Sequence, residues 1–286
     1  DYLILGGGRA GLCAAEAIRK NDKSGSITMI SDEAQLPHSR PMLTKLPLPF
    51  YEVEKTLVQP ESWYQEQCIN VLLRTKVLSM DAEQKTVETS AGTFSYGKCI
   101  YAMGAHNFIP PFPGKDLSGV YSIRTDKDMN AIRRGSLLAS HAVVIGGGVI
   151  GLEAAYMLVE QGLSVTVLET APYLMPRLLD ESCARYLQSR ITAFQIHTGV
   201  KVLGDTRVQF VEVEGMDPIP AGLVIVSCGV RANLEIFQKA GGTVERAIVV
   251  DEQMRTNLPD VFACGDCAQY QGLNTALWAQ ATLQGR

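Results

Sequence analysis

The chain has 286 residues, a length that suits about two domains. Its hydrophobic share of 46% and charged share of 20% exclude a disordered chain. The formal net charge of −4 gives no electrostatic case for binding nucleic acid, and no apolar run approaches the roughly 20 residues needed to cross a membrane.

Tyr2–Leu5 reads as a buried strand, 10–20 as a helix with Leu12, Ala15 and Ile18 on one face, and 26–31 as a second strand. Between the first strand and the helix stands Gly6-Gly7-Gly8-Arg9-Ala10-Gly11, a G-x-G-x-x-G fingerprint in the one context where it has a mechanism. The first glycine makes the turn, the second lets backbone approach a pyrophosphate, and the third lets helix pack on strand. Phosphates then meet the positive end of a helix. Glu33 lies 22 residues beyond Gly11, where an acid accepts hydrogen bonds from ribose hydroxyls. Asp32 is an equally good chemical candidate, and spacing does not separate the two.

The segment 37–49 is a loop with four prolines. A short helical piece is expected over 63–67, apolar β-rich runs over 71–73 and 75–80, and a hairpin with Thr86–Thr89 and 93–96 around Ala91-Gly92. A strand over 99–103 ends in Gly104, and Pro110, Pro111 and Pro113 make a stiff crossing that marks a domain boundary. A second βαβ unit follows: strand 142–145, the fingerprint Gly146-Gly147-Gly148-Val149-Ile150-Gly151, helix 149–161 stopped by Gly162, and strand 164–168. Glu169 ends that strand, 18 residues after Gly151. A helix is expected over 178–194 and strands over 208–213 and 222–226. Two fingerprints in one chain imply two dinucleotides, an arrangement suited to hydride transfer between a nicotinamide and a flavin.

Seven cysteines (Cys13, Cys68, Cys99, Cys183, Cys228, Cys264 and Cys267) are an odd, scattered set. They predict reduced thiols and a cytoplasmic location rather than a disulfide framework. Cys264-Gly265-Asp266-Cys267 matches C-x-x-C, but no second pair stands at metal spacing, and the cysteines are read as small buried residues. No metal site is expected. His38 is read as a packing or hydrogen-bonding residue, and Tyr270 and Trp278 as packing aromatics.

The two fingerprints, His38-Ser39-Arg40-Pro41-Met42-Leu43-Thr44-Lys45, Tyr101-Ala102-Met103-Gly104, Leu152-Glu153 and the run from Asp260 to Ala268 occur in one order. With them the chain resembles, over its whole length, the FAD-dependent pyridine nucleotide–disulfide oxidoreductases. The branch it resembles contains rubredoxin and ferredoxin reductases, the flavin part of nitrite reductases, and apoptosis-inducing factor. The resemblance implies an α/β fold of two Rossmann-like three-layer dinucleotide-binding domains. An FAD domain over 1–107 and 231–286 would carry an inserted NAD(P)H domain over 108–230. It also implies a flavin site of Gly6, Gly8, Gly11, Glu33, Arg40, Lys45, Gly104 and Asp266, with Asp266 on the ribityl chain. The nicotinamide site would comprise Gly146, Gly148, Gly151 and Glu169. Glu169 favours NADH over NADPH, because a carboxylate binds free ribose hydroxyls and repels a 2′-phosphate.

In relatives, residues matching Lys45 and Glu153 pair close to the flavin. A lysine there stabilises the negative charge that hydride delivery builds on the ring, and the glutamate orients it. Disulfide reductases of the superfamily carry cysteine on the helix after the first βαβ unit, yet residues 38–48 contain none. Electrons are therefore expected to leave for a small redox protein or a linked redox subunit. Two alternatives stay open: a flavoprotein acting through interaction surfaces, like apoptosis-inducing factor, and an NADH oxidase. Relatives continue into a third domain of roughly a hundred residues that shapes the acceptor site or a homodimer interface, and the resemblance stops short of it at Arg286.

Overall fold

The computed structural model describes residues 1–200 and 210–286. Among these lie seven α-helices: α1 (Arg9–Asn21), α2 (Glu61–Glu66), α3 (Asp126–Ser136), α4 (Val149–Val159), α5 (Glu181–Arg190), α6 (Glu235–Lys239) and α7 (Trp278–Gln284). The chain divides into two units. One comprises Asp1–Ser39, Thr56–His106 and Val230–Arg286; the other comprises Arg40–Lys55 and Asn107–Gly229.

The first unit is built on a five-stranded sheet in the order Val261–Ala263, Lys98–Tyr101, Tyr2–Leu5, Ile27–Ile30, Ile69–Leu72. Every neighbouring pair is parallel, with Leu5 opposite both Ile30 and Tyr101. A parallel sheet is covered on both faces, so its strands read as unbroken apolar runs such as Tyr-Leu-Ile-Leu. Ile4, Met29 and Ile100 pack with Leu12, Ala14 and Ala15 of α1. On the other face Leu3, Leu5, Tyr101 and Val261 pack with Val87 and Phe237. Val87 belongs to the antiparallel sheet Val77–Asp81, Thr86–Thr89, Gly92–Ser95, where the expected hairpin stands. Phe237, on α6, is fully buried and meets the Tyr101 ring edge-on at 5.4 Å.

The second unit repeats the plan. Its sheet runs Gln195–Thr198, Ser164–Glu169, His141–Ile145, Leu223–Val226, Val120–Tyr121, again all parallel. Ala142, Val144, Val165 and Val167 pack under Ala154, Ala155 and Leu158 of α4, while Val143, Ile145 and Leu168 face Val211, Val213 and Ala221. The architecture is thus α/β, with two Rossmann-like units.

Several elements differ from their sequence outlines. Residues 40–55 fall in the stretch 1–107 that the family resemblance assigns to the FAD domain, and they pack in the second unit. Leu43, Leu48, Tyr51 and Val53 are buried with Met129 and Ile132 of α3, and Arg133 donates to the Tyr51 carbonyl at 3.2 Å. The helix expected over 178–194 is only α5, because Asp180 caps its start, accepting from the Cys183 N–H at 2.8 Å. Sequence periodicity does not outline α3, whose start is fixed by a capping box of Thr125 and Asp128. The strand expected over 208–213 begins outside the described residues, and Phe210–Val211 pairs antiparallel with Ile219–Pro220.

Phe237 packs α6 against Tyr101 of the strand Lys98–Tyr101, so Phe237→Ala should remove about 3–5 kcal/mol of stability. Urea unfolding checks this; a loss under about 1 kcal/mol would show that the site collapses around the deletion.

Candidate functional site

Each fingerprint sits at the carboxyl end of a central parallel strand, the position at which open α/β sheets take ligands. In the first unit the Gly6 N–H donates to the Ile30 carbonyl at 2.8 Å, and the chain turns with φ +115° at Gly6. A Cβ on Gly6 would strike the Ala102 carbonyl, and one on Gly11 would strike the Gly6 carbonyl. In the second unit the Gly146 N–H donates to the Leu168 carbonyl at 2.8 Å, and φ at Gly146 is +114°. Cβ atoms on Gly146 and Gly151 would strike the carbonyls of Ser227 and Gly146.

The second glycines behave differently. Gly8 and Gly148 have φ of −89° and −81°, which any residue adopts, and a Cβ on either would meet nothing within 4 Å. Nothing among the described residues requires glycine there, and the space beside each is open. Both residues cap their helices without a side-chain hydrogen bond, leaving first-turn N–H groups for an anion. These features fit the pyrophosphate of a dinucleotide at both loops.

Three further residues expected in the first site, Gly104, Asp266 and Glu33, follow strands of the same sheet. Gly104 (φ +63°) follows Lys98–Tyr101, and Asp266 sits half-buried in the tight turn Gly265–Cys267 after Val261–Ala263. A Cβ on Gly265 would meet Ala10 Cβ at 2.8 Å, so that turn is pressed against α1. The two acids left open by spacing differ in setting. Asp32 is exposed, whereas Glu33 is partly buried with Oε2 3.8 Å from His38 Nε2.

Glu169 is drawn into its glycine loop: Oε2 accepts from the Gly147 N–H at 2.7 Å, and Oε1 from the Ala171 N–H at 2.9 Å. Arg40 and Lys45 belong to the second unit. Arg40 donates to the Arg124 carbonyl, and Lys45 Nζ lies 4.0 Å from Glu153 Oε1. Thr44 donates to Glu153 Oε2 at 2.5 Å, a tighter contact whose role sequence reasoning missed. No local sequence pattern signals it, because the partners stand 109 positions apart.

A family model described as pyridine nucleotide-disulphide oxidoreductase matches residues 1–285. The chain belongs to that family. It is 33% identical to the nitrite reductase [NAD(P)H] of Bacillus subtilis (strain 168), over 98% of this chain and 36% of that protein. It is 35% identical to the rubredoxin-NAD(+) reductase of Pseudomonas putida, over 95% of this chain and 72% of that one. Among solved structures, a ferredoxin reductase of Rhodopseudomonas palustris superposes with a TM-score of 0.94 at 32% identity, covering 99% of this chain and 74% of that one. The chain thus spans about a third of the nitrite reductase it matches.

For a member of a family named for disulphide chemistry, the state of the thiols matters. All seven cysteines are unpaired. Burial raises the Cys264 thiol far above its ordinary range and pushes Cys267 up to about 12. Cys267 Sγ donates to the carbonyls of Cys264 and Tyr101, at 3.3 and 3.4 Å. The C-x-x-C pair is therefore interior packing. Cys228, beside Gly146, is pushed up to about 11 by burial, with the Glu169 charge adding to the rise. Among the described residues no helix is long and apolar enough to cross a membrane.

A thiol held well above its usual range supplies little thiolate at mildly alkaline pH. Alkylation followed by mass spectrometry should label the exposed Cys68 and Cys183 first, and Cys264 and Cys267 only after unfolding. Labelling of Cys264 at the rate of Cys68, or a Cys264–Cys267 disulfide, would contradict this assignment.

Proposed function

We propose that this chain is the nicotinamide-oxidising part of an FAD-dependent NADH:acceptor oxidoreductase. The open cradles at Gly8 and Gly148, each facing an uncapped helix start, carry the reading. The names of the relatives agree with it, since the matched proteins include a rubredoxin-NAD(+) reductase and a nitrite reductase [NAD(P)H]. In this reading the FAD domain comprises 1–107 and 231–286 and the NAD(P)H domain 108–230, with 40–55 packed in the second unit.

Gly6, Gly8 and Gly11 hold the FAD pyrophosphate, Glu33 its adenosine ribose and Asp266 its ribityl hydroxyls, with Arg40 and Gly104 completing the site. Of the two acids, Glu33 is preferred because it is partly buried and set by His38, whereas Asp32 points to solvent. Gly146, Gly148, Gly151 and Glu169 hold the nicotinamide dinucleotide. Bound flavin supplies a hydride acceptor that can release electrons singly. Lys45 would offer its ammonium to charge arriving on the flavin, and Glu153, 4.0 Å away, would orient that lysine. Thr44 fixes Glu153 in turn through its 2.5 Å hydrogen bond. Neither Lys45 nor Glu153 forms a covalent bond.

Residues 38–48 contain no cysteine, so no thiol relay stands in that segment. The acceptor is accordingly a small redox protein or a linked redox subunit. Seven unpaired cysteines suit a reducing, cytoplasmic compartment. NADH is the preferred donor, because Glu169 presents its carboxylate beside the loop where a 2′-phosphate would approach.

The purified protein should carry or take up FAD, and NADH should bleach it anaerobically at about ten per second or faster. Bleaching over minutes would instead favour a flavoprotein that acts through its surfaces. Lys45→Ala should keep FAD and slow reduction by about tenfold to a hundredfold; an unchanged rate would remove Lys45 from the site. NADH should exceed NADPH in kcat/KM by about tenfold or more, and Glu169→Ala should narrow that ratio.

A further inference from the structure

The loop 31–38 leaves the strand Ile27–Ile30 and folds back on the first glycine turn. A Cβ on Gly7 would meet the Ser31 side chain at 2.9 Å and Pro37 Cγ at 4.0 Å. Both ends of the loop therefore stand against the turn, and they bring Glu33 and His38 to it. The backbone at each end is pinned. The Glu33 N–H donates to Ser31 Oγ at 3.3 Å, and the Glu33 carbonyl accepts from the Arg74 N–H at 2.9 Å. His38 forms an antiparallel bridge with Leu57. On either side of that bridge, the Val58 N–H donates to the Pro37 carbonyl at 3.0 Å and the Ser39 N–H to the Thr56 carbonyl at 2.7 Å.

Between these anchors Glu33 Oε2 lies 3.8 Å from His38 Nε2. That distance is longer than a direct hydrogen bond and within the reach of a charge on a polar N–H. The two side chains differ in access: His38 is 3% exposed and Glu33 18%. A ligand can reach the carboxylate, while the imidazole lies behind it. Away from bulk water, an N–H aimed at a carboxylate acts on it more strongly than it would at the surface. The imidazole therefore favours one orientation of the Glu33 carboxylate. A carboxylate oriented before binding gives up less freedom when ribose hydroxyls donate to it.

The geometry points to His38 as a positioning residue that holds the Glu33 carboxylate for an adenosine ribose. The pair is then the device by which the first site selects a flavin dinucleotide over a flavin mononucleotide. This rests on the reading of the first glycine loop as the FAD site. Both flavins bring phosphate to the glycine turn, but only FAD carries the second ribose that Glu33 meets. His38 touches neither flavin, and its effect passes through Glu33.

The test is titration of the flavin-free protein with FAD and with FMN, for the wild type, H38A, H38Q, E33A and the double variant E33A/H38A. H38A is expected to bind FAD about tenfold more weakly than wild type and FMN equally well. H38Q keeps an N–H donor and is expected to retain more of the preference for FAD than H38A does. In the E33A background, H38A is expected to change FAD affinity by less than about twofold, because the group it positions is already gone. Equal losses for FAD and FMN in H38A would overturn the inference, since His38 would then serve only the packing of the loop. So would an unchanged FAD affinity in H38A, or losses that multiply in the double variant. If H38A does not fold, nitrogen NMR of the wild-type histidine decides. Nε2 is expected to carry the proton that faces Glu33, and a ring protonated at Nδ1 alone would overturn the inference. A wild-type protein that binds neither flavin would overturn the functional reading itself, whereas tight FAD binding with any of the contrary results removes only the role of His38.

Discussion

The structure depends on one close approach, made twice: a helix lying so near the turn before it that only hydrogen fits between. Gly11 lies against the Gly6 carbonyl, and Gly151 against the Gly146 carbonyl. Any Cβ at these positions would push the helix away from the central strand. The approach points the first-turn N–H groups of α1 and α4 along the strand axis, past the end of the sheet. Gly6 and Gly146 supply the positive φ that makes the turn short enough. The apolar layers then hold this geometry: Leu12 and Ala15 lock α1 onto Ile4, and Ala155 and Leu158 lock α4 onto Val144. Each sheet is thus a rigid base for one uncapped helix start.

Within that shared geometry the side chains around each loop are free to differ. Ser31 and Glu169 both stand one residue past the strand residue that pairs with the last residue of the central strand. One is neutral, while the other takes the N–H of the middle glycine for its own carboxylate. Repetition of the backbone with divergence of these few side chains leaves one structural unit with two chemically different loops.

What the sequence made legible follows from how local each signal is. The fingerprints, the buried strands and the hairpin depend on residues within a few positions of each other, and the structure has them within a residue or two of their outlines. The partition of 40–55 did not show, because it is set by where Leu43, Leu48 and Tyr51 find a core, and apolar residues in a proline-rich loop carry no address. Likewise α5 is shorter than its apolar pattern, since the Asp180 cap overrides periodicity at its start. Glu33 and Asp32 are adjacent and chemically alike, and only the fold turns one toward His38 and the other outward. The hydrogen bond from Thr44 to Glu153 spans 109 positions, and no local pattern reports it.

Magnitudes decide what holds Lys45 and Glu153 together. Their side chains are 53% and 33% exposed and 4.0 Å apart, and such a pair contributes at most about 1 kcal/mol. That is too little to anchor a sixteen-residue segment whose own backbone must be ordered. Burial of Leu43, Leu48, Tyr51 and Val53 contributes roughly 1.5–3 kcal/mol for each large apolar side chain, several times the ion pair. The segment is therefore held by its apolar residues, and the lysine is carried to its position rather than holding it. A charge that is not needed for folding can keep its exposure, which a residue must retain if it is to meet charge arriving on a neighbouring group.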